Sequence, residues 1–348
     1  MTAAAVETVT LAPGYRIPRV IRGGWQLAGD HGPVERHRAI ADMAAFLAAG
    51  FNTVDGADIY TGVEDMYGEF NAHQRAAGLA TMQVHTKCVP DYADLDQLAA
   101  ADLRRTITRS LQRLRTDRLD LVQFHWWDYN RGNYLEAAAA LQQMQQEGLI
   151  ARIGGTNFDT AHARALIEAG VSLTSMQTQY SLLDRRPSTG LADLAAQHGM
   201  HLLCYGTLAG GFLTEHWLGQ SEPVQTLTNR SLVKYQLIID EFGGWSAFQA
   251  LLRALKTIAD RHGVSLSSVA VRWVLDQPGV AAAIVGARYA DKLASTLEVF
   301  SFQLTQADHA LIAPLLAAAP GPAGEPYSLE RDKTGRHGRI MKYELNKT

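Results

Sequence analysis

Four polar side chains of complementary types lie at or just after apolar runs of the sequence. Asp55 lies near the end of one run, Tyr60 follows it by five residues, Lys87 lies near the end of a second run and His125 ends a third. Reduction of a carbonyl group needs a proton for the developing alkoxide, and a phenol, with an ordinary pKa of about 10, is a usable donor only if its anion is favoured. We therefore expect Lys87 to lower the pKa of Tyr60, Asp55 to hold the lysine, and His125 to polarise the carbonyl oxygen as a hydrogen-bond donor.

These side chains can meet only if the elements before them are parallel strands with their carboxyl ends at one edge. Eight short runs rich in Val, Ile and Leu alternate with stretches of helical periodicity, which indicates strands joined by helices. An α/β fold of the (β/α)8 TIM barrel type fills about 250 residues or more as one domain, so we expect residues 1–348 to form a single barrel domain. The predicted strands are 20–25, 51–56, 82–88, 119–125, 150–157, 173–179, 200–206 and 281–287.

Three segments fall outside the repeated unit. Residues 6–19 read as an N-terminal hairpin that plugs the bottom of the barrel. The connection between the seventh and eighth strands is much longer than the others, and we expect it to contain a loop over 207–245, a candidate lid, before two helical stretches. The tail, from about 319 to 348, is expected either to pack across the barrel mouth or to remain mobile.

Two features of the first helix follow from local chemistry. Pro33 suits an early helical position, and Gly50 suits the left-handed cap at the carboxyl end. Gly148, Gly170 and Gly199 are expected to end later helices in the same way.

The composition excludes several classes of partner. Lys and Arg total 32 against 35 for Asp and Glu, so there is no basic excess for nucleic acid or an anionic membrane. Cys88 and Cys204 are far apart, which argues against a disulfide framework or a structural zinc site. The sequence has no apolar run of membrane-spanning length and no signal-peptide pattern, so we expect a cytoplasmic protein. Its oligomeric state stays open.

The motifs around the four polar residues resemble those of a known family. D-x-A-D-x-Y at 55–60, the final lysine of QVHTK and the histidine of DLVQFHWWD are similar to the catalytic tetrad of the aldo-keto reductases. The resemblance extends over nearly the whole chain. It implies that Asp55, Tyr60, Lys87 and His125 are catalytic, and that Tyr60 is the general acid when an aldehyde or ketone is reduced by a nicotinamide cofactor.

The same resemblance implies where that cofactor binds. The segment IGGTNF is similar to the family's segment after the fifth strand, and the aromatic residue of LLCYGTLAGGFL is placed like the one that stacks on the nicotinamide. The residues implied at the nicotinamide are Thr156, Asn157, Gln177 and Tyr205. Those implied at the pyrophosphate are Gly206, Leu208 and Gly210.

The adenosine phosphate is implied near the loop IVGARYADKL, which includes Gly286. Arg288 and Lys292 in this loop would favour a 2′-phosphate, because guanidinium and ammonium groups bind phosphate oxygens strongly. We therefore expect NADPH, with NADH as the alternative. The chain has no G-x-G-x-x-G or G-x-x-x-x-G-K segment, and it departs from the family at Ser295 and Thr296, where a Glu-Asn pair usually contacts the adenine.

Three tryptophans follow strands and are candidates for the wall of a substrate pocket. They are Trp25 after the first strand, and Trp126 and Trp127 after the fourth. Core packing is the ordinary alternative for such residues. The predicted ligand is a small-molecule carbonyl compound whose identity the sequence leaves open.

Each catalytic candidate also has an ordinary structural interpretation when it is taken alone. Asp55 reads as a helix cap, Lys87 as a surface charge, Tyr60 as a loop aromatic and His125 as a hydrogen-bonded interior group. Two other functions remain open: a cofactor-bearing regulatory subunit without turnover, and a different barrel enzyme, such as an isomerase that uses Lys87 and His125 without a cofactor.

Overall fold

Eight parallel strands close into a barrel in the computed structural model, which describes residues 5–29, 32–223, 227 and 229–346. Neighbours around the barrel follow the order β10-β3-β4-β5-β6-β7-β8-β9. The predicted (β/α)8 barrel is therefore confirmed. Its strands are β3 (Val20–Gly23), β4 (Thr53–Asp55), β5 (Gln83–Cys88), β6 (Leu121–His125), β7 (Ile153–Thr156), β8 (Leu173–Gln179), β9 (His201–Tyr205) and β10 (Val280–Gly286), preceded by the hairpin strands β1 (Thr8–Ala12) and β2 (Tyr15–Pro18).

Helices follow the strands and cover the outside of the barrel. Those between the strands are α1 (Arg36–Ala48), α2 (Val63–Ala76), α3 (Ala100–Leu114), α4 (Tyr134–Gln146), α5 (Thr160–Glu168), α6 (Leu191–His198), α7 (Arg230–Phe242), α8 (Gly244–His262) and α9 (Leu266–Leu275). After β10 come α10 (Leu293–Glu298), α11 (Gln306–Ala318) and the short α12 (Ser328–Arg331) of the tail.

The residues that flank α1 show how local chemistry determines where a helix begins and ends. Gly50 adopts a φ of 99°, in the region that favours glycine, as expected from the sequence. Gly148, Gly170 and Gly199 also have positive φ after their helices, at 87°, 89° and 63°. Pro33 lies before α1, which begins at Arg36, so its predicted early helical position is wrong.

Helix α7 corrects the prediction of a loop over 207–245. Asn229 caps it, because its side chain accepts hydrogen bonds from the backbone N–H groups of Ser231 and Leu232. Tyr235, Ile238, Ile239 and Phe242 form its buried face at the spacing of an amphipathic helix. This spacing is visible in the sequence and could have predicted the helix. Residues 224–226 and 228 of this connection lie outside the described residues.

The N-terminal hairpin plugs the bottom of the barrel as expected. Its turn contains Gly14 with a φ of 70°, and Ile17 packs in a buried cluster with Leu121 and Leu203 of the barrel strands. The hydroxyl group of Tyr15 lies 3.1 Å from Nε2 of His85, a fully buried side chain of β5. The plug thus reaches a titratable group inside the barrel.

Protonation of His85 links this plug to the pH dependence of stability. Burial, with smaller contributions from Lys87 and Arg152, lowers the pKa of His85 to about 3. The unfolded chain takes up the proton at about pH 6.5, so the folded state loses stability as the pH falls from about 6.5 towards 3.

We therefore expect His85→Gln to remove part of the acid destabilisation. Between pH 7 and pH 5 this histidine should cost the wild type about 2 kcal/mol of unfolding free energy, and the variant should lack that loss. Urea unfolding at the two pH values measures it. The exposed His309→Gln is the control and should keep the full difference; equal pH dependence in all three proteins would contradict the assignment.

Candidate active site

Asp55 and Lys87 form a buried ion pair at the carboxyl ends of β4 and β5. Nζ of Lys87 donates to Oδ1 and Oδ2 of Asp55 at 3.0 and 2.8 Å, and to the carbonyl oxygen of Gly56 at 2.8 Å. These bonds use all three N–H groups of the ammonium. Such a pair is tolerated in the interior because its hydrogen-bonding capacity is satisfied.

Tyr60 lies beside this pair in the loop between β4 and α2. Nζ of Lys87 is 4.8 Å from the centre of the phenol ring, and the centroids of the Tyr60 and Trp25 rings are 5.0 Å apart. Burial, followed by the charges of Asp55 and Asp58, raises the pKa of Tyr60 well above its ordinary value. The net shift is therefore upward, opposite to the lowering expected from Lys87, because burial dominates. Tyr60 therefore holds its proton at neutral pH.

His125 ends β6 and is fixed by the neighbouring strand. Its Nδ1 lies 3.1 Å from the carbonyl oxygen of Thr156, and since a carbonyl only accepts, Nδ1 carries the proton. Burial, and then the charge of Arg331, lowers the pKa of His125 to about 3, so the ring is neutral. Nε2 is consequently a buried acceptor without a hydrogen-bond partner among the described residues. The expected role of His125 as a hydrogen-bond donor to a carbonyl is not available to this neutral form.

One cavity of about 820 Å³ opens where the strands end. It brings together the four catalytic candidates and most of the predicted binding residues. Those lining it are Trp25, Asp55, Tyr60, Lys87, His125, Trp127, Thr156, Asn157, Gln177, Tyr205, Gly206, Leu208, Gly210, Gly286 and Lys292.

Two predicted residues do not line the cavity. Trp126 is fully buried, and its indole N–H donates to the carbonyl oxygens of Asp128 and Arg131 at 2.9 and 3.1 Å. Successive side chains point to opposite faces at a strand end, so Trp127 lines the cavity and Trp126 does not. Arg288 extends towards the surface, where Nη1 is 3.4 Å from the carbonyl oxygen of Pro33. Its contact with a cofactor phosphate stays a prediction.

The predicted nicotinamide residues are held by hydrogen bonds that aim their amide groups. Asn157 has a φ of 62°, unusual for a residue with a side chain, and its Oδ1 accepts from the hydroxyl group of Tyr205 at 2.9 Å. Gln177 donates from Nε2 to Oδ1 of Asp55 at 2.7 Å. A residue predicted to bind the nicotinamide is therefore hydrogen-bonded directly to the Asp55–Lys87 pair.

Glycines in the loop after β9 let α7 approach closely. Gly206 and Gly210 have φ of 71° and 66°. A Cβ atom would lie 2.4 Å from the hydroxyl oxygen of Tyr235 at the first position, and 2.6 Å from its Cδ2 at the second. The loop thus needs glycine at both positions, on conformational and steric grounds.

The cavity is also lined by residues of α7 that were not predicted from the sequence, because the helix itself was not predicted. Arg230, Ser231 and Lys234 line it from α7, and Ser231 accepts a hydrogen bond from the indole N–H of Trp25 at 3.3 Å. Hydroxyl groups add to the lining at Ser265, Ser267, Ser268, Ser295 and Thr296.

The tail packs across the barrel mouth, which confirms one of its two expected states. Glu330 of α12 is buried and lies 3.3 Å from Nζ of Lys234 and 3.4 Å from Nη1 of Arg186. Burial alone would raise the pKa of Glu330, but Lys234 and Arg186 outweigh it and hold the pKa at about 2. Beyond this anchor, tail residues line the cavity at Ile340, Met341, Lys342 and Leu345.

Other kinds of site are not found in the part of the chain that the structure describes. No group of three or more His, Cys, Asp or Glu side chains there could hold a metal ion. No helix within the same residues has the length and apolar character to cross a membrane.

Comparison with known proteins agrees with this architecture. The sequence model of the aldo/keto reductase family matches residues 19–317. The chain is 26% identical to the aldo-keto reductase YhdN of Bacillus subtilis over 307 residues, which are 85% of this chain and 88% of that protein. It is 34% identical to flagellar radial spoke protein 5 of Chlamydomonas reinhardtii over 177 residues, 45% of this chain, and spans 33% of that longer protein. The solved glycerol dehydrogenase of Gluconobacter oxydans has a TM-score of 0.76 at 26% identity, covering 93% of this chain and 98% of that one.

The ion pairs of the tail yield a stability prediction. Glu330→Gln should lower the unfolding free energy by about 3 kcal/mol, because it leaves the ammonium of Lys234 without its buried counter-charge, whereas Arg186 keeps Asp184. The matched control is Asp240→Asn, which breaks the exposed pair of Asp240 with Arg336 between the same two segments. It should cost less than about 1 kcal/mol. Urea unfolding measures both, and an equal cost would show that the buried charges do not anchor the tail.

Proposed function

The chain belongs to the aldo/keto reductase family, and we propose that it reduces an aldehyde or ketone to the alcohol with a nicotinamide cofactor, using Tyr60 as the general acid. One observation carries this proposal: Tyr60, the Asp55–Lys87 pair and His125 line the same cavity as the amides of Asn157 and Gln177. A bound nicotinamide would supply the hydride to the carbonyl carbon.

The residues of the cavity fit such a cofactor. Two side-chain amides, Asn157 and Gln177, are suited to a carboxamide. Gly206, Leu208 and Gly210 of the loop after β9 line the same cavity, and backbone N–H groups of such a loop are suited to bind a pyrophosphate. The ammonium of Lys292 and the guanidinium of Arg230 supply positive charge in the same cavity.

Tyr60 is suited to protonate the oxygen of the substrate even with a raised pKa. A developing alkoxide is a stronger base than a phenolate, so the transfer from the phenol remains favourable. The ammonium of Lys87, 4.8 Å from the ring, then stabilises the phenolate that is left. This stabilisation offsets part of the cost that burial and the two carboxylates impose on the phenolate.

The proposed role of His125 differs from the expected one. Its Nε2 is a lone-pair acceptor held in place by the bond from Nδ1 to Thr156. We assign it to accept a hydrogen bond from the hydroxyl group that forms when the carbonyl oxygen is protonated. This would fix the product oxygen beside Tyr60.

The side chains at the mouth favour a substrate with an apolar body. Trp25, Ile59, Trp127, Ile340 and Met341 form this part of the lining. Contacts with such a body would stabilise the complex through burial of apolar surface.

One observation weighs against the isomerase alternative. Lys87 has no N–H group left for a substrate, which disfavours an isomerase that uses it without a cofactor. A regulatory subunit would bind the cofactor and lack turnover, so an assay of carbonyl reduction separates it from an enzyme.

The proposal predicts a separation of chemistry from binding in Tyr60→Phe. Reduction should fall at least about 100-fold in kcat, because the proton donor is lost, while the Kd for NADPH changes less than about twofold. Steady-state assays over aliphatic, aromatic and sugar carbonyls, with cofactor fluorescence titration, measure both. Wild-type turnover in this variant would remove Tyr60 from the acid role, and cofactor binding without turnover in the wild type would favour the regulatory function.

The charge at the cavity predicts a preference for NADPH. Lys292→Met should weaken NADPH about tenfold and NADH much less, because only NADPH carries the 2′-phosphate. Lys256→Met on α8, outside the cavity, is the matched control and should change neither affinity. Titration of each protein with both cofactors tests this, and an equal loss for NADPH and NADH in Lys292→Met would contradict the phosphate contact.

A further inference from the structure

A buried glutamine with no assigned role lies among the site residues inside the barrel. Gln123, on β6, is fully buried two residues before His125. Its Nε2 lies 3.2 Å from Oδ1 of Asp55 and 3.4 Å from the carbonyl oxygen of Thr86, and its Oε1 lies 2.8 Å from Nε2 of Gln177. It thus contacts both the Asp55–Lys87 pair and Gln177, a residue predicted to bind the nicotinamide.

The partners of Gln123 allow only one orientation of its amide. The carboxylate of Asp55, paired with Lys87, and the carbonyl of Thr86 can only accept hydrogen bonds. The nitrogen of Gln123 therefore faces these two groups, and its oxygen faces Gln177.

The orientation of Gln177 follows from the same rule. Its nitrogen donates one N–H to Oδ1 of Asp55 at 2.7 Å and the other to Oε1 of Gln123 at 2.8 Å. With both N–H groups bound, the plane of the amide is fixed. Its remaining polar atom is the carbonyl oxygen, and the side chain lines the cavity.

We propose that Gln123 is a positioning residue that fixes the Gln177 amide, so that Gln177 offers the nicotinamide carboxamide an acceptor and not a donor. The proposal rests on the proposed function, since it concerns the same cofactor. Asp55 alone would hold one N–H of Gln177 and leave the amide plane free to turn. The second bond, to Gln123, removes that freedom.

The neighbouring amide complements this arrangement. Oδ1 of Asn157 accepts from the hydroxyl group of Tyr205, so Asn157 retains its N–H groups for a ligand. One donor from Asn157 and one acceptor from Gln177 match the oxygen and the NH2 group of a carboxamide.

The test uses the 3-acetylpyridine analogue of NADPH, which keeps the carbonyl of the carboxamide but has a methyl group in place of the NH2. If Gln177 accepts from that NH2, the wild type should bind NADPH about tenfold more tightly than the analogue. Gln177→Met should lose this preference, and Gln123→Met should reduce it to about threefold or less. The double variant should show no loss beyond that of Gln177→Met, because the two residues act through one hydrogen bond.

A fragment without the nicotinamide separates positioning from a general defect. Adenosine 2′-phosphate diphosphoribose should bind the wild type and Gln123→Met with the same Kd, since it makes no contact with Gln177. Full retention of the tenfold preference in Gln123→Met, or a wild type that binds NADPH and the analogue equally, would overturn the proposal. Tight, selective NADPH binding without carbonyl reduction would instead refute the proposed function alone and leave the role of Gln123 standing.

Discussion

The buried pair of Asp55 and Lys87 constrains every other group of the site. Two charges removed from water are stable together only if each of their hydrogen-bonding positions is met, because the loss of hydration outweighs their attraction. The ammonium meets this condition with the carboxylate and the Gly56 carbonyl, and the carboxylate accepts from two glutamine amides as well. A lysine satisfied in this way has no N–H group left for the phenol. Burial, with the charges of Asp55 and Asp58, raises the pKa of Tyr60.

The register of the barrel places these groups within reach of one another. His125 pairs with Thr156 across β6 and β7, and Thr156 pairs with Gln177 across β7 and β8. Parallel strands in this register bring their last residues to one level, so the carbonyl that fixes the histidine tautomer belongs to the next strand. The state of His125 is therefore a property of the sheet, and not of the sequence around it.

Much of the fold could be predicted because its signals are local. Apolar runs located the eight barrel strands to within a few residues, glycines such as Gly50 marked helix ends, and the motif from Asp55 to Tyr60 located the candidate acid. The remainder depends on contacts distant in sequence. Burial and Asp55 decide the pKa of Tyr60, and strand twist and alternation decide that Trp127, but not Trp126, lines the cavity.

The tail separates the part of the pocket that can vary from the part that cannot. Its anchor at Glu330 lies upstream of Ile340, Met341 and Leu345, which line the mouth without belonging to any barrel strand. Mutations at these three positions would alter the wall of the candidate substrate pocket without replacing any residue of the barrel strands. Such a segment gives evolution a route to new substrate preferences that does not draw on the stability of the core.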